Sequence, residues 1–393
     1  MRRTIALLAL CGVVSHSLSR STYPILLPAI EDELLANHQQ SGFLTTANFG
    51  AYMLGVGVVT TISGRFEPAR ILRVGLGIAC AGFLVLASAM GFWALALGQA
   101  LAGIASAGLW MTAPALVTSA VAANRRGTVM GLISSVMGVG IVVSSQGTRV
   151  ARELTGDDQL WRTTWIAAAA FTFALLIAII AGLRTPPTTS ITGGVSLARL
   201  RSVPGWFPLL AAHLCSGLIV SSFAPFFGAA LEEDGFDRAH VANLYSLLGL
   251  SAVFAAVGLG SVSDRTGRRP ILIGALLTMS ITSALVIVGR EPFATLAVIG
   301  FGAASFTFPI LVTAYLSDHL RDRAFSNALG ALTLIYGTSL IVGPTVSGTI
   351  GDSRLGFDAM FAGLAVIAII GALIARALPV DRDAVVVAPA AST

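Results

Sequence analysis

The sequence predicts an all-α membrane protein of twelve transmembrane helices in two pseudo-symmetric six-helix halves, and three observations predict it. The chain of 393 residues is 55% hydrophobic and only 11% charged, with mean hydropathy +0.85, where a soluble chain carries about a quarter charged residues. Its apolar residues fall into repeated runs near the ~20 residues that a membrane helix needs. Its arginines gather in the short segments between those runs. The runs are continuous rather than alternating, which excludes a membrane β-barrel. The formal charge of +5 therefore belongs to membrane topology and calls for no nucleic-acid partner.

Taken in order, the first element is the least obvious. Arg2-Arg3 ahead of Ile5–Val14 has the outline of a signal peptide. The apolar run resumes through Tyr23–Ile30, however, and Leu10 stands where a lipoprotein site at Cys11 would want a small residue. The segment is expected to be retained as span 1, near 4–30. Spans 2 to 6 are expected near 41–63, 71–90, 93–121, 128–146 and 163–183, so that residues 1–183 form the first half. Residues 184–205, rich in Pro, Thr and Gly, read as a linker. Spans 7 to 12 follow near 206–231, 240–262, 271–288, 293–316, 324–349 and 357–376, giving a second half at 206–376 and a tail at 377–393. Cys11, Cys80 and Cys215 all lie within apolar runs at spacings that suit neither metal nor disulfide, so they read as small buried hydrophobes.

Arginine counting sets the orientation. With the N-terminus in the cytoplasm, 17 of the 24 basic residues, all arginines, fall on the cytoplasmic side, 6 on the outer side, and Arg20 lies inside span 1. That bias places both termini and the linker in the cytoplasm of a bacterial inner membrane.

The halves also resemble each other. Span 1 ends in Pro28-Ala-Ile-Glu31-Asp32-Glu33 and span 7 in Ala229-Ala-Leu-Glu232-Glu233-Asp234, and each acidic end leads through one more span to an Arg-rich loop, at 64–73 and 264–269. Six spans per half keep both halves in the same orientation, as in parallel-repeat transporters whose substrate path lies between the repeats.

Between spans 8 and 9 the chain reads Gly260-Ser-Val-Ser-Asp264-Arg265-Thr-Gly267-Arg268-Arg269. This resembles the G-x-x-x-D-R-x-G-R-[RK] loop of the major facilitator superfamily, and implies that fold, with a cytoplasmic gate formed by Gly260, Asp264, Arg265, Gly267, Arg268 and Arg269. Gly267 suits a tight turn, and Asp264 suits a helix N-terminus, expected at span 5 near Gly127–Thr128. The equivalent loop of the first half, Gly64-Arg65-Phe66-Glu67-Pro68-Ala69-Arg70, lacks the acid before its arginine. Gln99-Ala-Leu-Ala-Gly103 and Gly140-Ile-Val-Val-Ser144-Ser145 lack the arginine and the Gly-Pro pair that mark proton-driven drug exporters of the superfamily. Arg20-Ser-Thr-Tyr23-Pro-Ile-Leu-Leu-Pro28, Thr46-Ala-Asn48-Phe-Gly-Ala-Tyr52-Met-Leu-Gly55 and the Gly103…Gly108-Leu-Trp110 run are similar to the YbfB/YjiJ branch. That resemblance implies a transporter and specifies no substrate.

Ionisable residues inside the membrane are few and therefore informative. They are His16 and Arg20 in span 1, which share a face at a spacing of four, and His213 in span 7. Arg20 has two readings. It is a structural arginine bonded to carbonyls or reaching for headgroups, or it binds a substrate, since no membrane carboxylate neutralises it. His16 and His213 are either packed neutral residues or carriers of a coupled proton. Tyr23, Asn48, Tyr52, Gln99, Trp110, Tyr245 and Tyr336 are the remaining candidates for a substrate path, with Ser221 and Tyr315 as further polar positions. Each of these is also a natural helix–helix hydrogen bond.

The expectation is a secondary transporter working by alternating access, a monomer whose partners are lipids, a small organic solute read as an organic anion, and protons. An exporter of hydrophobic compounds is the alternative. A membrane-embedded enzyme is a third reading, and only His319 with Asp318 and Asp322 clusters suitably, in a loop. No metal, cofactor or catalytic group is expected, and without lysine the chain carries no Walker-type ATP motif.

Overall fold

The computed structural model describes residues 2–63, 65–120, 126–155, 160–183 and 195–379, and the regular elements among them are all helices. In lipid a backbone N–H or C=O finds no water, so each crossing segment must close its hydrogen bonds within itself. Span 1 is one rod made of Arg2–Gly12, Val13–Ser21 and Thr22–Leu34. Spans 2 to 6 are His38–Ile62, Pro68–Ala87, Phe92–Ala120, Arg126–Thr155 and Trp161–Gly182. Spans 7 to 12 are Trp206–Glu233, Arg238–Thr266, Arg268–Val286, Phe293–His319, Asp322–Gly351 and Gly356–Ala375. Ten of the rods are long and apolar enough to cross a membrane, and spans 5 and 8 complete the twelve.

Three departures from the expected boundaries have a visible cause. Span 1 continues past Ile30 to Leu34 because its acidic end is held: Glu33 accepts from Trp161 Nε1 at 2.7 Å and from Arg162 Nη2 at 2.6 Å. Span 5 continues past residue 146 to Thr155, where Arg149 and Glu153 pair at 3.5 Å, four residues apart. Inside the expected linker a short helix, Leu197–Arg201, buries Leu200 and is tied to span 11 by Ser196 N–H donating to Asn327 O at 3.0 Å. Linker residues 184–194 and tail residues 380–393 lie outside the described residues.

Packing repeats between the halves. In the first, span 4 packs on spans 2 and 3, and span 3 packs on span 6; in the second, span 10 packs on spans 8 and 9, and span 9 packs on span 12. Between the halves, span 2 packs on span 11 and span 5 on span 8, which is the same relation reversed. Each half has its own apolar core, one around Leu26, Phe83 and Trp165, the other around Phe223, Phe301 and Phe361.

At the end of the bundle away from the termini, the halves are locked together. Asp352, after span 11, accepts from the N–H groups of His38 and Gln39 at 2.8 and 2.7 Å, capping the N-terminus of span 2. Arg238 at the start of span 8 bonds Asp32 of the first half and Glu232 of its own. Thr46 Oγ1 donates to Ile341 O at 2.7 Å. Deeper, Gln146 Nε2 donates to Asn243 Oδ1 at 3.0 Å, and Ser145 and Ser246 share a 2.7 Å hydroxyl pair. The acidic helix ends read from sequence as a repeat therefore serve as binding points across the interface.

At the opposite end, Gly267 takes φ +90° between spans 8 and 9, a region that L side chains rarely adopt. Arg268 reaches Asp318 Oδ2 at 3.1 Å and Ser263 Oγ at 2.6 Å, and Arg269 bonds Arg376 O. The expected contact between Asp264 and residues 127–128 falls on side chains outside the described ones. A carboxylate capping a helix of the other half does occur, at Asp352 and span 2.

Candidate functional site

The middle of span 1 is wound as a π-helix, Val13–Ser21, reading Val-Val-Ser-His-Ser-Leu-Ser-Arg-Ser. Its hydroxyls bond carbonyls five residues back: Ser19 Oγ to Val14 O at 2.7 Å and Thr22 Oγ1 to Ser17 O at 3.1 Å. Such wide turns leave carbonyls poorly matched, and local hydroxyls and neighbouring helices supply donors. Ser106 Oγ of span 4 donates to Ser15 O at 2.5 Å. Asn48 Nδ2 of span 2 donates to Ser19 O at 2.9 Å and also to Gln99 O and Oε1, at 3.0 and 3.1 Å.

This braced segment presents Arg20. The residue is half-buried, yet its Nε and Nη2 atoms are shut off from solvent and have no hydrogen-bond partner. The guanidinium lies over the Tyr52 ring, 3.9 Å from the centroid, and 5.2 Å from that of Phe49. Both rings come from span 2, and cation–π contacts in a dry place stabilise by up to about 2 kcal/mol. That is less than the several kcal/mol of stripping water from an ion, so the rings compensate only in part. Met53, next to Tyr52, lies against Gly337, next to Tyr336 of span 11, so the ring under the cation belongs to the face of span 2 that meets the second half. Arg20 stands 14 residues from the end of its rod at Leu34, and Tyr52 and Tyr336 stand 14 and 15 from theirs, a common depth of about 21 Å at ~1.5 Å per residue. Arg20 is thus near mid-rod, level with both tyrosines.

The second half contributes mostly rings. His213 stacks on Tyr336 at 3.9 Å between centroids, and on Phe308 at 5.9 Å. Its Nδ1 lies 3.4 Å from Ser216 Oγ. His16 meets the edge of Phe306 of span 10 at 5.7 Å and is within electrostatic reach of Arg20. Gly217 makes room for Tyr336: a Cβ there would come 2.7 Å from the Tyr336 ring and 2.0 Å from Ser339 Oγ. Gly217→Ala is expected to push the ring aside, costing about 1–3 kcal/mol of stability and weakening substrate binding. Thermal unfolding alongside a binding titration checks both.

The structure brings Arg20, Tyr52, Tyr336, His16 and His213 together. Other sequence candidates spend their polar atoms on helix packing. Tyr23 OH donates to Ser41 O at 3.3 Å, Tyr245 OH to Ala224 O at 2.7 Å, and Tyr315 OH to Pro204 O at 2.8 Å. Ser221 Oγ makes a 3.4 Å contact to Ser339 O. Asn48 braces the π-helix and Gln99 Oε1 accepts from it, although Gln99 Nε2 is buried without a hydrogen-bond partner, and Trp110 is half-buried on span 4. Asn48→Ala should leave the Ser19 carbonyl without its donor and destabilise the protein by about 1–3 kcal/mol, read as a lower melting temperature. Sequence reasoning missed Phe49, Phe306 and Phe308, whose apolar character gives no signal, and the π-helix itself. Among the described residues no His, Cys, Asp or Glu group is placed to hold a metal.

Residues 13–376 match the family model described as uncharacterised MFS-type transporter YbfB. An uncharacterised MFS-type transporter of Yersinia pestis (strain Pestoides F) is 24% identical over 351 residues, 87% of each chain. The Arabidopsis thaliana protein Zinc Induced Facilitator-Like 1 is 30% identical over 175 residues, 41% of this chain but only 35% of that protein's length. A bacterial homologue of the human lysosomal transporter Spinster, solved inward-facing and unoccupied, superimposes with a TM-score of 0.76 at 16% identity, covering 95% of this chain and 97% of that one.

Proposed function

We propose that this chain, which belongs to the major facilitator superfamily and within it to the YbfB-type transporters, carries a small organic anion by alternating access, binding its carboxylate at Arg20. The observation that carries the reading is the pair of buried, unpartnered guanidinium nitrogens, Nε and Nη2, of Arg20. Buried polar atoms of this kind are almost always satisfied, and an always-charged fork is shaped to receive a carboxylate. Tyr52 on one half and Tyr336 on the other flank the position, so a bound anion would touch both halves. The surrounding rings suit an anion with an apolar body. His16, against Phe306, and His213, stacked on Tyr336, are the candidates for a proton that accompanies the anion. The arginine asymmetry supports the further reading that both termini are cytoplasmic and the locked end faces outward.

A ligand-stabilisation screen on purified protein tests this. Monocarboxylates with apolar bodies should raise the melting temperature, and their amides and methyl esters should not. Stabilisation by neutral or cationic compounds but not by carboxylates would reverse the assignment.

A further inference from the structure

His38 opens span 2 at the locked end, between carboxylates of both halves. Its Nδ1 lies 2.9 Å from Glu31 Oε1 of the first half, and its Nε2 lies 3.2 Å from Glu233 Oε1 of the second. An ionised carboxylate only accepts hydrogen bonds, and a neutral imidazole has one donor nitrogen. The two contacts can both be hydrogen bonds only if both ring nitrogens carry protons, that is, if His38 is a cation. The rest of its surroundings agree. Asp352 caps the backbone of His38 and Gln39, and Ser41 Oγ occupies Glu31 as a further donor. The Phe357 ring of span 12 lies against the imidazole, 4.7 Å between centroids. The charged groups around it on every packed element are thus Glu31 from span 1, Glu233 from span 7 and Asp352 after span 11. The nearby Arg238 is itself taken up by Asp32 and Glu232.

We propose that His38 is the proton-binding residue of this lock, and that closing the end away from the termini takes up one proton from the water on that side. Parting the halves carries Glu233 and Asp352 away with the second half and leaves His38 with Glu31 alone. The proton is then held less tightly and returns to the same solution, so this site tunes the conformational equilibrium without carrying a proton across. The sign follows from linkage. The closed form binds the proton more strongly, so acid favours closure and alkali favours opening, across the range from the ordinary histidine value of about 6.5 upward. The device is separate from the anion site and needs no substrate.

The test uses the full-length protein without substrate in lipid nanodiscs. Spin or fluorophore pairs across the locked end report the ratio of closed to open forms between about pH 5.5 and 8.5, on either side of the histidine range. The wild type should shift toward open roughly tenfold over that interval, the change made by a proton held one pH unit more tightly. His38→Gln should flatten the response, and Glu233→Gln should shrink it. Arg20→Ala, His16→Gln and His213→Gln should keep it. A wild-type ratio that does not move with pH overturns the proposal, whatever the variants do. So does a His38→Gln protein that retains the full response, or a response that disappears with Arg20→Ala instead.

Discussion

Gly42→Val is expected to hold the transporter open at the end away from its termini and to abolish most turnover. A Cβ at Gly42 would sit 2.2 Å from Pro344 O, 2.9 Å from its carbonyl carbon and 3.3 Å from Thr345 Cα. All three atoms are backbone, so no side chain can swing away. Gly348 is the counterpart on span 11, where a Cβ would come 2.3 Å from His38 O and 3.0 Å from its carbonyl carbon. The locked face thus depends on two helices touching main chain to main chain, as small residues allow in membranes. Overpacking such a contact costs about 1–3 kcal/mol, and the protein has an escape, because the halves can part. A penalty of that size, confined to the closed form, shifts the equilibrium toward open by roughly five- to more than a hundredfold. Gly50→Ala, on the same helix with open space around its Cβ position, is the control and should behave as wild type. Distances between labels across the locked end, together with uptake into proteoliposomes, check the result. Closed-state distances in Gly42→Val would refute the contact's role.

Arg20→Lys is expected to remove most transport, and Arg20→Ala to remove anion binding as well. Lysine keeps the charge but offers a point-like ammonium in place of a planar fork, so a two-point hold on a carboxylate is lost. Alanine removes the charge, and with it the reason for an anion to enter a dry, ring-lined site. Charge-assisted contacts of this kind are worth about 1.5–3 kcal/mol each, so losing two corresponds to a loss of affinity of at least a hundredfold. The alanine protein should also melt at the same or a higher temperature without ligand, since it no longer buries two guanidinium nitrogens that lack hydrogen-bond partners. A melting temperature well below wild type would mean that Arg20 is a structural brace. Binding is read by titration and stability by thermal unfolding, so the two outcomes separate.

Much of the fold is legible in the sequence because the bilayer dictates it. Continuous apolar runs, the Pro/Thr/Gly-rich break after span 6 and the acidic ends at 31–33 and 232–234 place the rods and the repeat. Hydropathy falls silent where helices leave the hydrocarbon, which is why it does not extend spans 1 and 5 to Glu33 and the Arg149–Glu153 turn. Arg20 is legible as an anomaly, a permanent charge where none is expected. Its partners are less so, since nothing in residue type distinguishes Asn48, committed to the Ser19 carbonyl, from Tyr52, turned toward the guanidinium. The π-helix rests on hydroxyl contacts five residues apart, a spacing that helical periodicity does not flag. Nothing in the sequence singles out His38, because what defines it stands near residues 233 and 352.

The central claim, an organic anion held at Arg20, is tested most directly by determining the structure with a stabilising carboxylate bound. The expected result places a carboxylate oxygen within about 2.7–2.9 Å of Arg20 Nε or Nη2, the length of a charge-assisted hydrogen bond, with the ligand body between Tyr52 and Tyr336. A ligand bound elsewhere, with those two nitrogens still unpartnered, would contradict it.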